Sequence, residues 1–171
     1  MNKTSELDLQ LIIIKNQTPF SGKLIVPNMN TGYGEADVLL LSKAGYATEF
    51  EIKVTRNDFA ADKKKICKHN DYKSVFNNGI ITWWNGELRD KKGIPNYFVY
   101  VVPEYFNVAT LKVPDYAGLY VANIKTGYVS SIKPPPRIHK EKFKEYWTHK
   151  IAQSLNAKYF YHHFFGLKNT T

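Results

Sequence analysis

One cysteine, Cys67, stands among 171 residues. An internal disulfide is therefore excluded, and a lone thiol suits a reducing compartment. Long apolar runs are missing as well. The two longest, at 11–14 and 38–41, are core-sized and fall far short of the roughly 20 apolar residues a membrane-spanning helix needs. Met1-Asn2-Lys3-Thr4 carries no apolar secretory region. The chain reads as soluble and cytoplasmic, with no membrane partner. Five scattered histidines and one cysteine do not make a zinc site. Internal repeats and low-complexity segments are absent too.

Acidic residues are scarce downstream. Residues 56–171 hold nine against nineteen Lys and Arg, whereas residues 1–55 hold six against five, and the whole chain carries +9. An acidic pocket in a basic frame suits a metal and a polyanion. Small basic proteins without a nucleic-acid partner are also common. Aromatic residues make up 15% of the chain, with twelve Tyr, ten Phe and three Trp. At this length a single domain over 1–171 can bury a sizeable core.

Ser5-Glu6-Leu7-Asp8 opens a helix, with Ser5 as cap and Asp8 in the first turn. Leu7, Leu11 and Ile14 follow at helical spacing, and the helix ends near Asn16. Residues 18–22 are loop, 24–27 a short strand and 28–34 loop again. Strands over 36–42 and 46–55 flank Lys43-Ala44-Gly45 and form an antiparallel hairpin. The spacing predicts a helix over 57–76, with Phe59, Asp62, Ile66, His69, Lys73 and Phe76 on one face. Strands at 80–84 and 87–89 flank Asn85-Gly86, which suits a type I′ turn. Strands at 97–102, 118–124 and 128–132 follow. Pro134-Pro135-Pro136 is a rigid spacer before a helix over 139–165. Its stripe is Phe143, Trp147, Ile151, Leu155 and Tyr159, and Gly166 would cap it. The order implies an α/β (α+β) fold: a central mixed β-sheet flanked by helices, with a β-hairpin and a long C-terminal helix.

The chemistry concentrates in the hairpin. Phe50, Ile52 and Val54 alternate with Glu49, Glu51 and Lys53, so one face is apolar and the other charged. A three-residue loop at 43–45 pairs Ser42 with Tyr46, and hence Asp37 with Glu51. Asp37 then joins Glu51 and Lys53 on one face. The same register puts Ala36, Val38 and Leu40 with Phe50 and Ile52 on the apolar face. Asp37 and Glu51 could hold Mg²⁺ or Mn²⁺, with a main-chain carbonyl and waters completing the oxygen shell. Alternating charge is also what any half-exposed strand shows.

With Glu35-Ala36-Asp37-Val38, Glu51-Ile52-Lys53, Thr55-Arg56-Asn57-Asp58-Phe59 and Asp62-Lys63 in view, the chain resembles the PD-(D/E)XK nuclease superfamily. Within it the likeness is to MmcB-like DNA-repair proteins and small phage-encoded relatives. The phage relatives also look similar at 95–104 and 113–119. The resemblance implies a restriction-endonuclease-like fold and metal-dependent hydrolysis of phosphodiester bonds in DNA, in phage DNA processing, repair or recombination. It implies Asp37, Glu51 and the main-chain carbonyl of Ile52 as ligands of Mg²⁺ or Mn²⁺. Lys53 would position the attacking water or stabilise the transition state. Glu6 is the candidate for the carboxylate that the first helix often contributes. Many relatives carry a Gln-type residue on the helix after the lysine strand, and here Asp62, Lys65 and His69 stand there instead. A phage-encoded protein of this kind would work in the host cytoplasm. The hairpin at 80–89 looks inserted relative to these proteins.

Secondary candidates are Glu35, Glu49, Asp62 and His69. Glu35 shares a side with Asp37 and falls at the rim. Glu49 reads as an exposed bystander, and His69 as a hydrogen-bonded, partly buried histidine. His162 and His163 are consecutive on a helix and point apart. The cations Arg56, Lys63, Lys64, Lys65, Lys68, Arg137 and Lys140 are candidates to contact phosphate, and Trp83 and Trp84 to stack on or wedge a base. The partner would be DNA, with RNA not excluded. Branch resolution would need two sites and so a two-fold homodimer. The competing readings are a catalytically inactive nucleic-acid binder that keeps the fold, and a phage accessory or protein-interaction module.

Overall fold

A computed structural model describes residues 4–17, 22–62 and 64–165, with side chains to residue 161. Lys63, the cap at Gly166, the side chains of His162 and His163, and residues 18–21 of the loop expected over 18–22 lie outside the described residues. Helix α1 (Glu6–Gln17) precedes strands β1 (Leu24–Asn30), β2 (Glu35–Leu41) and β3 (Ala47–Ile52). Helices α2 (Arg56–Asp62) and α3 (Ile66–Phe76) follow, then the short strands β4 (Ile81–Thr82) and β5 (Leu88–Arg89). Strands β6 (Tyr97–Pro103), β7 (Ala117–Ala122) and β8 (Val129–Lys133) lead to α4 (Lys144–Phe165). The six-stranded sheet has the order β1-β2-β3-β6-β7-β8, and β4-β5 form a separate hairpin. The central pairs β3–β6 and β6–β7 are parallel, and the flanking pairs are antiparallel. The expected mixed sheet between helices is therefore present. Among the described residues no helix is long and apolar enough to cross a membrane.

One face of the sheet packs Val38, Leu40, Phe50, Ile52, Val99 and Val101 under Leu9 and Ile13 of α1. The other face carries two apolar clusters. Phe98, Tyr100 and Val102 of β6 gather Phe59 of α2 and Tyr72 and Val75 of α3. Leu39, Leu41 and Ala47 gather Trp147 and Ile151 of α4. Ala36, expected on the apolar face with Val38 and Leu40, belongs to this second cluster. Between the two clusters runs the charged face of β3.

Helix α1 begins as its sequence dictates. The Ser5 amide donates to Asp8 Oδ2 at 2.8 Å, and the Asp8 amide donates to Ser5 Oγ at 3.2 Å. Its buried side is Leu9, Gln10 and Ile13, while Leu7 and Leu11 are exposed. Apolar residues ring this helix, so periodicity selects no single face and packing on the sheet does.

The expected helix over 57–76 is two helices. The Lys64 and Lys65 amides turn back to the carbonyls of Ala61 and Asp62, at 2.9 Å each. No Pro or Gly marks this break. The turn at 43–45 has the expected three-residue form, with Gly45 at φ +84° and its amide on Ser42 O at 2.9 Å. The Asn85-Gly86 turn uses the same device. Gly86 alone has positive φ and its amide bonds Trp83 O at 2.9 Å. A type I turn followed by a left-handed glycine therefore replaces the expected type I′ turn.

Helix α4 starts at Lys144 rather than at 139. Residues 139–141 are tied instead to the start of β6. Buried His139 Nε2 meets Ile94 O at 2.9 Å, and the Asn96 side-chain amide donates to His139 O at 3.0 Å and Glu141 O at 2.8 Å. Burial holds the His139 imidazole below its usual range. The stripe buries Trp147 and Ile151, but Leu155 and Tyr159 are exposed. A helix of 22 residues is about 33 Å long, whereas the seven-residue strands under it reach about 23 Å. Past Ile151 the helix still meets β1 through Lys158, which donates to Pro27 O, while Leu155 and Tyr159 stay exposed.

Candidate active site

The register of β2 on β3 is the one the turn predicts. Val38 pairs with Phe50 and Leu39 with Glu49, so Asp37 falls opposite Glu51. Asp37 Oδ2 accepts the Ile52 amide at 2.5 Å. Asp37, Glu51, Ile52 and Lys53 line one cleft of about 370 Å³, together with Glu6, Asp58, Asp62 and Lys65. Glu6 reaches it through Gln10, a residue that periodicity did not mark. Gln10 Nε2 donates to Asp37 O at 3.2 Å, to Asn28 Oδ1 at 2.6 Å and to Glu6 Oε1 at 3.3 Å.

The charged face of β3 is buried, contrary to the half-exposed strand the pattern suggested. Glu49 is 0% exposed and Glu51 1%. Strands flank β3 on both sides and α3 lies over it, so these carboxylates must be paired or neutralised. Lys53 Nζ lies 2.7 Å from Glu51 Oε1 and 3.1 Å from Asp62 Oδ1. Lys65 Nζ contacts the same two oxygens at 2.5 and 3.0 Å. Lys68 Nζ lies 2.9 Å from Glu51 Oε2 and also pairs with Glu49. Glu49 further accepts the Tyr72 hydroxyl at 2.7 Å. Glu49 is thus an interior member of the network rather than an exposed bystander. Burial raises its affinity for a proton, against the pull of Lys68.

Asp62 closes the network on its far side. It accepts the Tyr100 hydroxyl at 2.7 Å and His69 Nε2 at 2.9 Å. A carboxylate can only accept, so His69 donates from Nε2 and presents Nδ1 to the Tyr116 hydroxyl at 2.7 Å. Burial works to raise the Asp62 carboxyl, but the hydrogen bonds of His69 and Tyr100 outweigh it and hold the group well below the usual carboxylate range. His69 is the partly buried, hydrogen-bonded residue expected. Asp62 was expected among apolar neighbours and instead pairs with two lysines.

Asp37 differs from the other three carboxylates. Among the described residues no ion pair reaches it, and its contact is the Ile52 amide. Burial first, then the charge of Glu51, push its carboxyl up to about 7. A carboxylate so placed favours whatever brings positive charge beside it.

The expected phosphate-contacting set divides. Arg56 and Lys64 are exposed on α2 and just beyond it, close in sequence to the cleft residues Asp58 and Lys65. Lys65 is half-exposed at the cleft itself. The Lys68 side chain is only 3% exposed and locked between Glu49 and Glu51, so it cannot meet phosphate. Arg137 stacks 4.9 Å over the Tyr46 ring and donates to the Tyr97 hydroxyl at 3.1 Å. Tyr97 pairs with Thr48, at the end of β3 away from Lys53, about 16 Å along the strand. Arg137 therefore does not frame the cleft, and Lys140 follows it as an exposed residue. Glu35 is exposed and does not line the cleft. Trp84 is 97% exposed, while Trp83 packs against the Arg89 guanidinium at 4.3 Å.

Asp62 and Lys65 were expected as a secondary candidate and as a phosphate contact, not as members of one ion-pair network with Glu51 and Lys53. Their signal was indirect: a charged strand at the centre of a sheet must be covered, and a covering helix must supply the countercharges.

No protein-family model matches the chain, and no curated protein matches it. Among solved structures it is similar to the SPO1766 protein of unknown function from Silicibacter pomeroyi. That likeness has a TM-score of 0.56 and 19% identity, and covers 84% of this chain and 81% of that one. At this identity it bears on the fold alone.

Proposed function

We propose that the cleft is the catalytic centre of a Mg²⁺- or Mn²⁺-dependent nuclease of PD-(D/E)XK type, hydrolysing phosphodiester bonds in DNA. One observation carries the reading: the β2–β3 register sets Asp37 opposite Glu51, in one cleft with Lys53. The donor set fits a small hard cation. Asp37 and Glu51 are carboxylates, Ile52 contributes main chain at the same point, and Glu6 stands at the rim. Among the described residues no three His, Cys, Asp or Glu side chains form a ready ligand cage. Mg²⁺ is commonly held by one or two carboxylates and keeps waters and substrate oxygens in its remaining positions.

The bound ion would supply neutralisation of phosphate charge and a more acidic water. Lys53, held by Glu51 and Asp62, presents its ammonium at a fixed point of the cleft, where it can orient water or meet the developing negative charge. Asp62 is itself fixed by His69 and Tyr100, so Lys53 is positioned from two sides. The net charge of +9 and exposed Arg56 and Lys64 suit a polyanionic substrate.

A second reading, an inactive nucleic-acid binder, is favoured by one observation: three ammonium groups already engage Glu51. Incubating linear, plasmid, branched and single-stranded DNA, and RNA, with Mg²⁺ or Mn²⁺ tests the choice. Cleavage by the parent that is lost in Asp37→Ala and Lys53→Ala is the expected result. DNA binding without cleavage of any form, and without Mn²⁺ binding by calorimetry, would select the inactive binder.

A further inference from the structure

The geometry points to Lys65 as a displaceable internal counter-ion: its ammonium occupies the cation position beside Glu51 and must leave before a divalent ion binds there. This rests on the metal-centre reading above and adds a competition that reading does not require.

Three lysines reach Glu51, and only one can depart. Lys68 is buried and bridges Glu49 and Glu51 at once. Lys53 is on the strand's own end, its side chain 10% exposed, and its amide is bonded to Val101 O at 2.9 Å. The Lys65 side chain is 48% exposed and lines the cleft. It follows the break between α2 and α3, and no side-chain cap holds the start of α3 there. Lys65 can rotate into solvent without moving the sheet.

Repulsion between like charges favours exchange over addition, since the Lys65 ammonium already stands 2.5 Å from Glu51 Oε1. The network holds four carboxylates, of Asp37, Glu49, Glu51 and Asp62, and three ammonium groups, of Lys53, Lys65 and Lys68. With every group ionised and His69 uncharged, the cluster carries one net negative charge. A divalent ion added to it would leave one positive charge in excess. A divalent ion that replaces Lys65 leaves it neutral. Glu51 keeps Lys53 and Lys68 when Lys65 withdraws, so the exchange does not strand a buried carboxylate.

Calorimetric titration of the metal-free full chain with Mn²⁺ tests this, using the parent, Lys65→Met, Lys65→Arg and Asp37→Asn. Lys65→Met should bind Mn²⁺ about fivefold more tightly or better, the lower end of ordinary coupling between sites. Lys65→Arg keeps the competing charge and should bind no more tightly than the parent. Asp37→Asn should bind more weakly. Equal or weaker binding by Lys65→Met, with Asp37→Asn still impaired, overturns the competition and leaves the metal centre standing. A gain in Lys65→Met with no loss in Asp37→Asn places the ion elsewhere and also overturns it. No Mn²⁺ binding by the parent or by Lys65→Met at millimolar ion sinks both readings. Melting curves check that each variant is folded, and Lys65→Gln takes the place of Lys65→Met should the latter fail to fold.

Discussion

Replacing Asp37 by Asn should stabilise the metal-free protein, and do so only above acid pH. Burial and Glu51 move this carboxyl from 3.8 to about 7. The unfolded chain therefore releases the proton near pH 4, while the folded chain holds it until near neutrality. Between these limits the folded state binds more protons, so rising pH costs the parent stability, and the loss levels off above about pH 7. Each pH unit of displacement is worth about 1.4 kcal/mol, which gives an upper limit of about 4 kcal/mol. Water reaches part of this half-buried side chain, which reduces the expected value to roughly 2–3 kcal/mol. Asn removes the charge, and its side-chain oxygen can still accept the Ile52 amide. For a chain of this size the gain corresponds to about 4–12 °C in Tm at pH 8, falling towards zero near pH 4. Thermal or urea unfolding in chelator at pH 4, 6 and 8 measures it. A difference between parent and variant that is the same at all three pH values refutes the reasoning. Mn²⁺ should then raise the Tm of the parent and leave that of Asp37→Asn nearly unchanged.

Lys68→Met should destabilise by about 3–5 kcal/mol, because it leaves Glu49 and Glu51 buried without their shared cation. Lys65→Met, at a half-exposed pair, should cost less than about 1 kcal/mol by the same urea titration; equal costs would contradict the burial described. If the cleft is the DNA-binding face, Lys64→Ala should lower the slope of log K against log salt by about 1. Arg137→Ala, at the other end of the strands, should leave that slope unchanged, as fluorescence anisotropy on a labelled oligonucleotide would report.

Much of the fold was legible in local chemistry. Ser5 and Asp8 marked the start of α1. A three-residue turn ending in Gly45 set the β2–β3 register, and with it the meeting of Asp37 and Glu51. Where several faces were equally apolar, as in α1, the pattern named the wrong one. In α4, Leu155 and Tyr159 continued the apolar stripe and looked like core, yet are exposed. The break before Lys65 carried no Pro or Gly to announce it.

The sequence by itself determined which residues of β2 and β3 share a face, because side chains alternate and a short turn leaves one register. Only the tertiary structure decided that this charged face is covered. Alternation says nothing about what lies opposite. That depends on α3 crossing β3 from fourteen or more residues away, with Lys65 and Lys68 arriving at Glu51. The same packing left Asp37 without an ammonium partner among the described residues, and so set it apart from Glu51, which the sequence had paired with it as an equal ligand.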